Sequence, residues 1–188
     1  QNPAKGLPLI HAAVVVFEPD TGRITAVLEG GALTAIRTGA GCGVATEMLA
    51  RTDASTAAII GAGVQARTQL AAVCAVRTIE TAWIYAPTQA HVESLIAELA
   101  GQGDIPKDLR AADSPQQAVT DADIVSAATT SATPVFDFAD LKPGAHINGA
   151  GSYTPDMQEV PAALIANARV TVDSRAACLA EAGDLLKP

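Results

Sequence analysis

The sequence predicts an α/β protein: a Rossmann-like doubly wound parallel sheet, with the edges of a second domain at both termini. Three observations carry this expectation. The apolar run Ala57-Ala58-Ile59-Ile60 leads into Gly61-Ala62-Gly63-Val64-Gln65-Ala66, which has the spacing of a strand, a tight glycine turn and a helix start in a nucleotide-binding βαβ unit. From residue 54 onward, short apolar runs alternate with helical patterns, as parallel strands with crossovers require. The chain has 188 residues, 49% of them apolar, enough for one full domain and part of a second.

Each element follows from the local pattern. Residues 1–10 carry Pro3, Gly6 and Pro8 and read as a loop. Residues 12–17 and 24–28 are strands around the turn Pro19-Asp20-Thr21-Gly22, a hairpin that Gly30-Gly31 should break. Residues 33–50 read as a helix whose many small residues suit close packing on another helix or a backbone. The sheet then begins at 57–60, with its helix over 64–76. The strand at 81–85 precedes a helix over 89–99, and a weak strand near 109–112 is followed by a helix start with Ser114 as cap and Pro115 in the first turn. Strands over 123–127 and 145–150, a short helix over 161–166 and a closing strand at 170–172 complete six candidate strands. The expected domains are therefore 1–53, part of a dimerisation or substrate domain; 54–174, the nucleotide-binding domain; and 175–188, the start of a return to the first.

Composition excludes several function classes. The net charge is −8 and aromatics make up only 3%, so there is no electrostatic footprint for nucleic acid. The apolar runs are too short to cross a bilayer, and no charged-then-apolar signal segment opens the chain. Gln1 in place of an initiator Met suggests a cut or processed terminus. Cys42, Cys74 and Cys178 have no ligand spacing and sit in Ala-rich settings, so all three are expected to be small buried residues in a reducing cytoplasm. His11, His91 and His146 likewise lack metal-ligand spacing, and no metal site is expected.

Ligands of such sheets sit over the carboxyl ends of the strands. Gly61 permits the sharp turn, Gly63 lets a pyrophosphate approach the main chain, and Ala66 lets the helix pack closely on its strand. The first turn of that helix offers free N–H groups and a positive dipole end. After the second strand of the sheet, Tyr85-Ala86-Pro87-Thr88 offers neither a carboxylate for a ribose 2′-hydroxyl nor an Arg for a 2′-phosphate. Lack of a repelling acid leans the cofactor toward NADP(H) over NAD(H), with Thr88 either a phosphate contact or a helix cap. Residues 127–131 are small and hydroxylated, suiting either a cofactor lying on the backbone or an ordinary loop. Gly149 and Gly151 at the end of a strand suit either a flat ring approaching the chain or a plain turn. Arg37 is the single cation in an apolar, small-residue helix, where it either binds an anionic ligand or is simply solvated. Asp156, after Pro155, reads as a turn or cap residue.

Four collinear stretches then point to a family. Leu33-Thr34-Ala35-Ile36-Arg37-Thr38-Gly39-Ala40, Ile60-Gly61-Ala62-Gly63-Val64-Gln65-Ala66, Gly144-Ala145-His146-Ile147-Asn148-Gly149-Ala150-Gly151 and Ala182-Gly183-Asp184-Leu185 resemble, in order and spacing, the ornithine cyclodeaminase/mu-crystallin family. The resemblance implies an NAD(P)-binding domain inserted into a second domain that dimerises and holds a small amino or imino acid. It implies that Arg37 faces the substrate carboxylate. It also implies cofactor contacts at Gly61, Ala62, Gly63, Val64, Gln65, Thr129, Ala150, Gly151 and Ser152.

Three departures from the family pattern shape the expected activity. Tyr153 stands where cyclodeaminases carry an acid/base Asp, and a phenol of pKa about 10 does not replace a carboxylate base at neutral pH. Ala86 stands where a ribose-binding acid would be. The family's other carboxylate-clamping Arg and Lys would precede Gln1. The stretch Gly151-Ser152-Tyr153-Thr154-Pro155-Asp156-Met157 resembles the reductase-type members, so the expected activity is NAD(P)H-dependent reduction of a cyclic imino acid of the Δ1-pyrroline-2-carboxylate type. Ornithine cyclodeamination and non-catalytic cofactor binding are the alternatives, and no catalytic residue is assigned.

Overall fold

The computed structural model describes Lys5, Leu7 and residues 11–188; most of the loop expected over 1–10 lies outside these residues. β1 (Ala13–Phe17) and β2 (Ile24–Glu29) pair antiparallel as a separate two-stranded sheet. The long helix α1 (Gly30–Leu49) follows. The main sheet alternates strand and helix: β3 (Thr56–Ile60), α2 (Val64–Val76), β4 (Thr81–Tyr85), α3 (Gln89–Leu99), β5 (Asp108–Ala111), α4 (Pro115–Val119), β6 (Ile124–Ala127), β7 (His146–Gly149) and α5 (Ala162–Asn167). The short helices α6 (Arg175–Glu181) and α7 (Gly183–Leu186) end the chain.

Five strands, all parallel, lie in the order β5-β4-β3-β6-β7. The order reverses at β3, so a crevice opens between the carboxyl ends of β3 and β6. Both faces of the sheet are covered. On one, Leu70 and Val73 of α2 and Val92 and Leu95 of α3 bury against Ile59, Ile84 and Ile124; on the other, Ala118, Val119 and Leu164 bury against Ala58, Ile60 and Val125. Each fully buried aliphatic side chain contributes about 1.5–3 kcal/mol. The amino end of the sheet is pinned by buried Asp123, which accepts from the N–H groups of Ser55 (3.0 Å) and Thr56 (3.2 Å), from Lys142 Nζ (2.6 Å) and from Arg51. Burial pushes its carboxyl up, but the Lys142 hydrogen bond and the two backbone donors outweigh that and hold it below the usual range.

Three expectations need correction. The hairpin ends at Glu29, as expected, but α1 begins at Gly30 and not at Leu33, because the Glu29 carboxylate accepts from the N–H groups of Gly31 (2.9 Å) and Ala32 (2.5 Å) and caps the helix. Residues 170–172 form no strand: Val170 and Val172 are exposed and pair with no neighbour among the described residues. A β-branched run favours extended backbone, but a strand also needs a partner. Cys178 is half-buried, unlike buried Cys42 and Cys74.

Helix α1 lies beside α2, and the contact is unusually close. A Cβ on Gly39 would meet the Thr68 carbonyl oxygen at 2.7 Å, and one on Gly43 would meet Ala72 Cβ at 3.2 Å. These contacts step one turn along both helices together, so the two run parallel, with the start of α2 level with Ala35. At the far end the Arg77 guanidinium donates to the carbonyls of Thr46 (3.0 Å), Glu47 (2.9 Å), Ala50 (2.9 Å) and Arg51 (2.9 Å), closing the last turn of α1. Beneath α1, Asn148 of β7 donates to Thr46 Oγ1 (3.0 Å) and Ser126 Oγ (3.3 Å).

The packing sets a sign that propensity alone would get wrong. Alanine is a better helix former than glycine by about 1 kcal/mol, yet Gly39→Ala should destabilise by about 1–3 kcal/mol because its methyl meets the Thr68 backbone. Urea unfolding of the two proteins measures this; a stabilised variant would contradict the parallel packing.

Candidate functional site

The glycine turn after β3 is built as the spacing anticipates. Gly61 has φ +116°, a conformation L side chains rarely adopt, and a Cβ there would lie 2.5 Å from the Ala128 carbonyl oxygen. Its N–H donates to the Tyr85 carbonyl (2.7 Å), so the turn joins the ends of β3, β4 and β6. Gly63 differs. It is the N-cap of α2 with φ −83°, and a Cβ there would meet nothing within 4 Å. Nothing among the described residues demands glycine at that position, and its main chain is left open to a ligand. No side chain caps α2 and no acid lies in its first turn, which leaves the N–H groups of Val64, Gln65 and Ala66 directed at the turn with the dipole behind them. Ala66 is fully buried against the sheet. The Gln65 side-chain oxygen is buried without a partner among the described residues. Arg67 folds back over the turn, donating to the carbonyls of Ala62 (2.7 Å) and Gly63 (3.1 Å) and to Glu98 (2.8 Å).

The loops after β6 and β7 complete one continuous rim. Ala128 lies beside Gly61, and Thr129 lies beside Gly151, where a Cβ would collide with the Thr129 carbonyl oxygen and the Glu159 carboxylate. The Ala150 N–H donates to Ala127 (3.1 Å). The Ser152 hydroxyl donates to the Met157 carbonyl (3.2 Å) and accepts from Asp184 N–H (2.9 Å), so it is engaged within the loop. Of the residues named from the sequence, Gly61, Ala62, Gly63, Val64, Gln65, Thr129, Ala150, Gly151 and Ser152 thus come together along the ends of three adjacent strands. Thr88 stands apart at the end of β4. It is exposed at the N-cap of α3 and makes no side-chain capping bond.

Arg37 lies on α1 two residues before Gly39, level with the first turn of α2. The face of α1 that packs inward carries Ala35, Gly39, Cys42, Gly43 and Thr46, whereas Ile36, Arg37, Val44 and Met48 are exposed. Arg37 makes no ion pair or hydrogen bond among the described residues. It therefore stands level with the glycine turn on the side of α1 facing away from α2. His146 lies half-buried in β7. Its Nε2 meets Asn148 Oδ1 at 3.0 Å, and burial lowers its pKa despite that bond. Tyr153 is 59% exposed.

Two acids have no role assigned from the sequence, although Asp184 stands in the closing stretch Ala182-Gly183-Asp184-Leu185. Glu159 is fully buried, and its carboxylate accepts from Thr129 N–H (2.5 Å) and from Gly151 N–H. Asp184, also buried, accepts from the N–H groups of Glu159 (2.7 Å) and Val160 (2.9 Å). For Glu159 the local signal is an acid set directly before Val160-Pro161 and a helix. Burial is the first cause raising both carboxyls, and their hydrogen bonds oppose it.

The strand order, with a glycine turn at the central strand and a rim of small residues, defines a doubly wound α/β domain of the dinucleotide-binding type. The chain belongs to the ornithine cyclodeaminase/mu-crystallin family, whose sequence profile it matches over residues 1–187. It is 41% identical over its whole length to a Δ1-pyrroline-2-carboxylate reductase of Bacillus cereus and covers 57% of that protein. It is 34% identical over 96% of its length to the ketimine reductase mu-crystallin of Mus musculus, covering 56% of it. The structure of a Thermococcus litoralis Δ1-pyrroline-2-carboxylate reductase in complex with NADH and L-proline superposes with a TM-score of 0.93 at 40% identity, covering all of this chain and 57% of that one. The chain thus spans a little over half the length of these relatives. Among the described residues, no helix is long and apolar enough to cross a membrane, and no cluster of His, Cys, Asp and Glu could hold a metal ion.

The two turn glycines should separate in mutagenesis. Gly61→Ala should lose at least about 2 kcal/mol of stability through strain and overlap with Ala128, while Gly63→Ala should stay within about 1 kcal/mol of the parent. Chemical denaturation of both variants decides it, and equal losses would contradict the turn geometry.

Proposed function

We propose that this chain is the cofactor-binding part of an NAD(P)H-dependent oxidoreductase that reduces a cyclic imino acid of the Δ1-pyrroline-2-carboxylate type. The observation that carries the reading is the main-chain cradle at Gly61–Gln65, continuous with the rim at Thr129 and Ala150–Ser152. The residues fit a dinucleotide: Gly63 has open space where a pyrophosphate would rest, and the first turn of α2 supplies N–H donors and a favourable dipole. A bound reduced nicotinamide would supply hydride to the C=N carbon of the protonated imine, leaving a secondary amine and the oxidised cofactor. The chain's own part is positioning: half-buried Ala150 leaves room for a ring against the backbone, Gly151 lets the Thr129 and Glu159 groups close beneath it, and Arg37 offers a bidentate partner for the substrate carboxylate.

Tyr153 supports reduction over cyclodeamination, since hydride delivery to a protonated imine needs no carboxylate base at that position. For the cofactor, Ala86-Pro87-Thr88 puts no negative charge where a 2′-phosphate would lie, which supports acceptance of NADPH, while the Thermococcus relative holds NADH. We further infer that residues 1–53 and 175–188 belong to a second domain, which holds the substrate and forms a homodimer in the cytoplasm. The exposure of Val14, Phe17, Ile24 and Val27 on the hairpin, with Ile36, Val44 and Met48 on α1, supports burial of these surfaces in a larger assembly.

The test is turnover by the full-length protein. With Δ1-pyrroline-2-carboxylate it should oxidise NADPH or NADH, and Arg37→Met should raise the imino acid KM by about 10-fold or more. No oxidation of either cofactor, together with ammonia release from ornithine, would overturn the reading.

A further inference from the structure

Glu159 is the buried ionisable group that the proposed chemistry leaves unused, and its placement is specific. It has no solvent exposure, and its two carboxylate oxygens are divided between two loops: one accepts from Thr129 N–H after β6, the other from Gly151 N–H after β7. Its own N–H is held at 2.7 Å by Asp184 of α7, whose N–H in turn donates to Ser152 Oγ (2.9 Å). Burying a carboxylate costs several kcal/mol unless its hydrogen bonds are met. An apolar side chain would fill the same space but would leave two N–H groups without acceptors. A carboxylate meets both with a single group, and no neutral side chain presents two acceptor oxygens in this way.

We propose that Glu159 is a positioning residue for the nicotinamide end of the cofactor: by holding the Thr129 and Gly151 N–H groups together, it sets the spacing of the two loops on which the ring would lie. The inference rests on the reading under Proposed function. Glu159 makes no hydrogen bond to Gly63 or α2 among the described residues; its link to the glycine turn is the Ala128–Thr129 peptide, whose N–H it holds and whose carbonyl oxygen faces Gly61. The turn is also fixed by the Gly61 backbone and its bond to the Tyr85 carbonyl, so removing one acceptor should loosen the nicotinamide end of the ligand more than the pyrophosphate end. In Glu159→Gln the amide NH2 faces one of the two N–H donors, so one loop is repelled. In Glu159→Asp the shorter side chain no longer reaches both. The fold around Asp123 and the α1–α2 pair is untouched in either variant.

The experiment compares NADH with ADP-ribose, which carries the adenosine and pyrophosphate but no nicotinamide, by calorimetric titration of the full-length protein and both variants. Both variants should bind ADP-ribose within about 2-fold of the parent, weaken for NADH by about 10-fold and lose about 10-fold or more in kcat. A merely structural role would weaken both ligands in parallel. Parallel weakening, unchanged NADH binding and kcat, or failure of both variants to fold would overturn the proposal. If the parent protein binds neither ligand, the dinucleotide reading itself falls; a parent that binds both while its variants show no selectivity sinks only the role of Glu159.

Discussion

The whole carboxyl end of the sheet depends on one close approach, that of Gly61 to the Ala128 carbonyl oxygen. With φ at +116° the chain leaves β3 without a side chain between the two strand ends, and α2 can start directly over the crevice. Any larger residue would push the ends of β3 and β6 apart at the point where the strand order reverses. The rim that runs from Gly61 through Thr129 to Gly151 exists because each neighbouring pair touches through main chain or through a glycine. The site is consequently made of backbone, which agrees with a chain of net charge −8 that places few cations there.

Helix α1 extends this logic beyond the sheet. Gly39 and Gly43 bring it onto α2, Arg77 closes its far end, and Asn148 ties it to β6 and β7 through Thr46 and Ser126. The register carries Arg37 to the level of the α2 N-terminus on a face that packs on nothing within the described residues. A side chain that would meet a substrate is thus placed by two glycines on the opposite face of its own helix. The C-terminal helix α7 contributes in the same indirect manner, through Asp184 and Glu159 to the loops after β6 and β7.

Much of this was legible in the sequence, for physical reasons that differ from element to element. The glycine turn, α2, β4 and α3 fall where the pattern places them, because apolar runs and helical periodicity are local signals. The small-residue face of α1 was readable as a packing surface, though not which helix it met. What escaped reading was set by contacts distant in the chain. Val170-Thr171-Val172 has the composition of a strand but no partner among the described residues, and Gly30-Gly31 ends the hairpin yet also opens α1, which only the Glu29 carboxylate capping that turn makes plain. Glu159 and Asp184 are invisible to periodicity altogether, since an acid's burial depends on which backbone donors the fold brings to it.

The central claim is that main-chain N–H groups at the start of α2 hold a nucleotide diphosphate. A crystal structure of the full-length protein with NADH or NADPH tests it most directly. The account predicts pyrophosphate oxygens within about 2.7–3.2 Å of the N–H groups of Val64 or Gln65, over the bare backbone of Gly63. A dinucleotide seated elsewhere, or a pyrophosphate held by Lys or Arg side chains with those N–H groups unengaged, would contradict it.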